Sequence, residues 1–319
     1  MYVITTQKSI KTKMEEKMKK ENVVTNDSEF ISPKIDYAFK QMMNSKIALK
    51  NFLSAVLKVP TKDIEDIQYI DTHTLKENED DKYVVMDVRL SLKNQYEIDI
   101  EMQVMNFKHW TDRVLYYSCR MLSEQIKKGQ DYGKLIKCVS ISILDFNVFK
   151  KENYPGYYSS YHVREDKDSR VFNDLLEYHI IELTKIPEGF VEAEYDELLI
   201  WAKFINSDDK EEMMMLSERN EGIKAAYNEL TSLNNDDARK QIYNSRKKAI
   251  MDYNVQNRAA REEGYEKGIE KGKKENTIEI VKEMLKRGTD IEFISEVTKL
   301  PEEEIKNIQQ DVSTYGDKK

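Results

Sequence analysis

Residues 96 to 104 alternate without a break, with Glu97, Asp99, Glu101 and Gln103 at odd positions and Ile98, Ile100, Met102 and Val104 at even ones. A period of two places the acids on one face of a β-strand and the apolar residues on the other. A second strand is expected over Tyr83 to Leu92, where Asp87 stands among Val84, Val85, Met86 and Val88. Lys93-Asn94-Gln95 joins them as a short turn, with Asn94 suited to the left-handed conformation. A three-residue loop pairs Leu92 with Tyr96, and Asp87 then faces Glu101 with Cβ atoms about 5 Å apart. A two-residue loop would set Ile100 opposite Asp87 and separate the acids.

A solvent-exposed face would also produce the acidic alternation of the second strand. Asp87 weighs against that reading, because a carboxylate inside an apolar strand needs a partner, and a metal ion is a strong one. Two carboxylates at this spacing suit Mg²⁺, which takes oxygen ligands and keeps several waters. Gln103 points the same way as Glu101 and can orient a water or a phosphate oxygen, although it carries no charge.

The rest of the chain reads as follows. Residues 1–30 are polar and Lys-rich, and a disordered or frayed extension is expected there. Ser32-Pro33 is a helix-start signal for a helix to about Asn44, and a second helix is expected over Lys46–Leu57. A long amphipathic helix follows the hairpin from about Phe107 to Lys128, closed by Gly129. Arg113, Tyr116, Tyr117 and Arg120 share one of its faces. Strands are expected at Lys134–Leu144, Tyr157–Arg164 and Glu177–Leu183. The pattern is helical from Glu194 through Lys274, and a tail over 276–319 reads as three short helices broken at Gly288 and at Lys299-Leu300-Pro301. Gly264, Gly268 and Gly272 recur every four residues, which is either a face for close helix packing or a flexible charged linker.

Composition narrows the functional classes. A net charge of −8 argues against indiscriminate coating of nucleic acid. Basic charge is nevertheless concentrated, with eleven Lys and Arg against five Asp and Glu between Arg239 and Lys274, and six Lys against two Glu between Lys8 and Lys20. Such runs are either solvated helix faces or DNA contacts. No stretch reaches the roughly 20 apolar residues of a membrane helix, and residues 1–20 lack a secretory h-region. The two cysteines, Cys119 and Cys138, lie in apolar patterns without ligand spacing and are expected to be buried free thiols of a cytoplasmic protein. His73, His109, His162 and His179 have no zinc-like spacing, and the ten glycines form no phosphate loop.

Asp87, thirteen residues, then Glu101-Met102-Gln103 resembles the D…(D/E)-x-K signature of the PD-(D/E)XK nucleases, with Gln in place of Lys. SPKIDYAFKQMM, VVMDVRL with EIDIEMQ, RVLYYSCRML, the glycine repeat and TDIEFISEVTKLPEEEI together resemble the Rpn family of recombination-promoting nucleases, also labelled putative transposases, over Ser32 to Gln310. The resemblance implies an α/β restriction-endonuclease-like core, a mixed sheet flanked by helices, over residues 31–190. A helical region at 191–275 and the small tail would follow, forming a homo-oligomer or engaging DNA. It implies a metal-dependent DNA endonuclease in which Asp87 and Glu101 bind Mg²⁺ and Gln103 stands for the usual lysine. Asp36 matches the helical acid that completes such sites; alone, it also reads as a helix-dipole charge paired with Lys40. Arg113 and Tyr117 match residues that contact phosphate or support the acids. A catalytically silent DNA-binding or dimerising protein is the rival.

Overall fold

The computed structural model describes residues 30–70, 87–92, 95–106, 108–188 and 196–316, with side chains to 310. The expected N-terminal extension up to residue 29, the strand portion before Asp87, the Lys93-Asn94 part of the turn, Phe107 and the Glu194 helix start lie outside these residues. Phe30, counted in that extension, is instead buried and stacks on Tyr227 with ring centres 5.5 Å apart.

Helix α1 spans Asp36–Met43 and α2 spans Lys46–Leu57. Ser32 does not cap α1, contrary to expectation. Its hydroxyl donates to Asp208 at 2.7 Å, its N–H donates to the Tyr243 hydroxyl at 3.0 Å, and the helix begins after Ile35. With the hydroxyl committed to Asp208, the Ser-Pro step forms a turn closed by Ile35 N–H on Ser32 C=O. Ser45 does cap α2, accepting from Ala48 N–H.

The six strands are β1 (Ile67–Ile70), β2 (Val88–Leu92), β3 (Tyr96–Gln103), β4 (Lys137–Leu144), β5 (Tyr158–Arg164) and β6 (Val171–Glu182), in the order β1-β2-β3-β4-β6-β5. The pairs β3–β4 and β4–β6 are parallel and the rest antiparallel, so the sheet is mixed. β1 was not anticipated, since four residues are too few to display a period. β6 begins six residues earlier than expected, because its first residues, Val171 to Asp174, extend the ladder with β5 while staying exposed.

Helix α3, Trp110–Ser123, carries the chain from β3 to parallel β4. It is shorter than the expected Phe107–Lys128. Gly129 has φ +86° but sits in a later turn, not at the helix end. Trp110 and Val114 pack with Leu144, Phe146 and Ile180, and Met121 packs on Cys138, so α3 covers one face of the sheet. Cys138 is buried as expected, whereas Cys119, on the outer side of α3, is exposed.

Four helices follow: α4 (Glu197–Asn206), α5 (Lys210–Ser217), α6 (Glu221–Asn234) and α7 (Asp237–Lys286). The chain divides by contacts into residues 1–248 and 249–319, with the boundary inside α7. In the first unit α6 packs against α1, α2 and α5. Gly222 is required there, since a Cβ would fall 2.2 Å from that of Asn51. In the second unit the end of α7 joins α8 (Ile291–Thr298) and α9 (Glu302–Gly316). Gly288 and Lys299 take positive φ at the two breaks, and Val281, Ile294, Ile305 and Ile308 close a small core, as the tail pattern predicts. Among the described residues no helix is long and apolar enough to cross a membrane.

Candidate metal centre

The β2–β3 register runs from Leu92↔Tyr96 to Val88↔Ile100, the pairing that a three-residue loop demands. Asp87 stands at the bend one residue before the ladder begins, on the Glu101 side of the hairpin. Its Oδ2 accepts the Met102 N–H at 3.0 Å. The first acid is thus tied to the backbone of the strand bearing the second.

The acidic face is not an exposed one. Glu97, Asp99 and Glu101 are 5%, 3% and 4% exposed, because α3 lies over them. Burial pushes Asp87 up to about 6, partly offset by the Met102 hydrogen bond; Asp36 pushes it further and Lys40 and Arg113 oppose. Burial likewise pushes Glu101 up to about 7, with Arg113 opposing and Asp87 adding to the rise. A negative charge on each is costly here, and a cation is what the pair lacks.

Arg113 answers part of that need. Its Nη2 lies 3.5 Å from Glu101 Oε1, and its guanidinium sits 4.9 Å from the centre of the Tyr117 ring. Of the four residues expected on one helix face, Arg113 turns toward the acids and Tyr117 lies against its guanidinium. Arg120 turns to Glu124 at 3.1 Å, and Tyr116 is largely exposed. A 3.6-residue period spreads i, i+3, i+4 and i+7 over an arc wide enough for its edges to face different neighbours.

Two residues of this face were not assigned to the site from the sequence. Arg89, paired in register with Asp99, donates Nε–H to Glu97 Oε1 at 2.6 Å and Nη2–H to Glu124 at 3.1 Å. Asp99 lies beside Glu101 with its carboxyl held well above the ordinary range, first by burial and then by Glu101 and Asp87. Its place in the alternation could have flagged Asp99, and the register that sets Arg89 opposite it could have flagged Arg89.

Asp36 opens α1, a helix that touches β3, and acts on the charge of Asp87. Among the described residues, Asp36, Asp87 and Glu101 do not bring three donor atoms within 4.8 Å of one another. Gln103 ends β3 partly exposed, its carbonyl accepting Asp145 N–H at 3.0 Å. Glu101 Oε2 and Asp99 Oδ1 are buried without a hydrogen-bond partner among the described residues. An orphaned carboxylate oxygen beside a second acid fits a hard divalent cation with oxygen ligands.

The three-donor group the fold does assemble is His162, Asp174 and Glu177, on β5 and β6. Lys137 already occupies it, 2.9 Å from Asp174 and in contact with Glu177. His179 Nε2 lies 2.8 Å from Glu177 Oε1, which with the lysine holds Glu177 down at about 2. This is a satisfied ion network.

A mixed sheet, an acid-bearing hairpin and a helical crossover to a parallel strand define an α/β fold of the PD-(D/E)XK class. A family model described as PD-(D/E)XK nuclease family transposase matches residues 33–260, and the chain belongs to that family. No curated protein and no solved structure matches it.

Proposed function

We propose that this protein is a divalent-metal-dependent DNA endonuclease that hydrolyses phosphodiester bonds, with Mg²⁺ as its physiological ion. The observation that carries the reading is the convergence of Asp87 and Glu101 across the hairpin, with a buried, unpartnered oxygen on Glu101. Asp87 and Glu101 hold the metal, and Asp36 assists from α1. When bound, the ion supplies Lewis acidity that acidifies water and offsets charge on the phosphate. Gln103, at the open end of β3, positions the attacking water or a phosphate oxygen. Arg113 favours the ionised form of Glu101 and orients it, with Tyr117 bracing its guanidinium.

The helical C-terminal region serves self-association or DNA engagement. Gly264, Gly268 and Gly272 have open space around them, which leaves room on that helix face for a second helix. The basic run from Arg239 to Lys274 is of the right sign for a phosphate backbone.

Incubating the purified chain with plasmid and Mg²⁺, beside Asp87→Ala and Glu101→Ala, tests the reading. Metal-dependent nicking lost in both variants is expected. Intact DNA binding with no nicking across a range of divalent ions would instead establish the silent binder.

A further inference from the structure

A phosphodiester under attack gains negative charge, yet this site is built from acids. Asp36, Asp87, Asp99 and Glu101 surround it, and Gln103 is neutral. Three nearby cations are each held by acids. Arg113 pairs with Glu101, Arg89 pairs with Glu97 and Glu124, and Lys34 lies 3.3 Å from Asp208 and 3.9 Å from Asp145. Lys40 is placed differently. It lies one turn after Asp36 on α1, so both side chains leave the same helix face. Ala38, Phe39, Met42 and Met43 of the same helix are buried in the core, and α1 itself touches β3. Lys40 is partly exposed, and its charge reaches Asp87.

We propose that the Lys40 ammonium contacts the scissile phosphate and supplies from α1 the positive charge that Gln103 on β3 lacks. The proposal rests on the nuclease reading. A lysine in the last turn of α1 also opposes the helix dipole, which is a small and exposed effect. A preorganised cation at the reacting phosphate is a large one.

The test uses the full chain and three variants: Lys40→Gln, Lys40→Arg, and Lys40→Gln combined with Gln103→Lys. Plasmid cleavage with Mg²⁺ should fall about 10²- to 10³-fold in Lys40→Gln. Lys40→Arg should retain most of the rate, and the Gln103→Lys exchange should recover at least roughly tenfold of the loss, since it returns a charge to the same phosphate from the neighbouring strand. Calorimetric titration with Mn²⁺ alone gives a second readout. Removing a positive charge beside the acids should tighten Mn²⁺ binding by roughly fivefold. Cleavage as fast in Lys40→Gln as in the parent overturns the proposal and leaves the nuclease reading standing. Slow cleavage with unchanged Mn²⁺ affinity and no recovery by Gln103→Lys also overturns it, since Lys40 then acts only through the fold. A parent chain that cleaves nothing overturns both.

Discussion

Asp87 Oδ2 accepts the backbone N–H of Met102 at 3.0 Å, so the side chain of the first acid is fastened to the strand residue that follows the second.

Both acids are raised, from ordinary values of 3.8 and 4.5 to about 6 and about 7. The folded state then binds protons more tightly than the unfolded state. Their contribution to stability is fully present below about pH 4 and is lost as pH rises through 6 to 7. At about 1.4 kcal/mol per tenfold change in acidity, the loss is on the order of 3 kcal/mol for either group alone. Metal-free Asp87→Asn should melt higher than the parent at pH 8 and with it at pH 4. Mg²⁺ or Mn²⁺ should raise the parent's Tm more at pH 8 than at pH 5. Equal metal shifts at the two pH values would contradict the assignment.

Replacing Arg113 with Met removes the cation that opposes the rise in Glu101. The acidic limb of the cleavage pH profile should move to higher pH, and the rate at pH 7 should fall about 10- to 100-fold. Arg113→Lys should recover only part, because lysine lacks the planar group that lies against Tyr117. A profile with an unmoved limb would show that Arg113 serves the fold alone.

Arg89→Met should cost about 3–5 kcal/mol in urea unfolding, since it leaves Glu97 buried without its cation. Adding Glu97→Gln should recover much of that, because the Gln125 side chain at 3.1 Å can still bond a neutral partner. No recovery would mean that the loss arises from packing.

Gly222→Ala should destabilise by about 1–3 kcal/mol. The added methyl meets Asn51, whose Oδ1 also accepts the Trp201 indole N–H at 2.8 Å and so cannot move freely. Equilibrium unfolding measures the cost directly.

Removing residues 262–319 should lower the molar mass seen by light scattering, if the glycine face of α7 packs against a second copy. An unchanged mass would refute self-association through that face.

Much of the hairpin was legible in the sequence. Strict alternation in β3 and an odd loop length specify which residues share a face, and the observed register agrees from Leu92↔Tyr96 onward. The tail was legible too, since Gly288 and Lys299-Leu300-Pro301 interrupt a helical period and the apolar positions between them close its core. The start of α1 was not. Ser32-Pro33 carries a sound local signal, but Asp208, 176 residues away, takes the hydroxyl. The end of α3 was missed because the chain turns before its glycine does.

The order of polar and apolar residues by itself determined the β2–β3 hairpin, its register and the acids that share its face, because strand periodicity and loop length are local properties. Tertiary structure alone decided that α3 would bury those acids and that Arg113, braced by Tyr117, and not Arg120, would meet them. It also decided that Lys137 would fill the His162, Asp174 and Glu177 cluster. Desolvation and ion pairing depend on what covers a face, and those neighbours come from distant parts of the chain that no local period records.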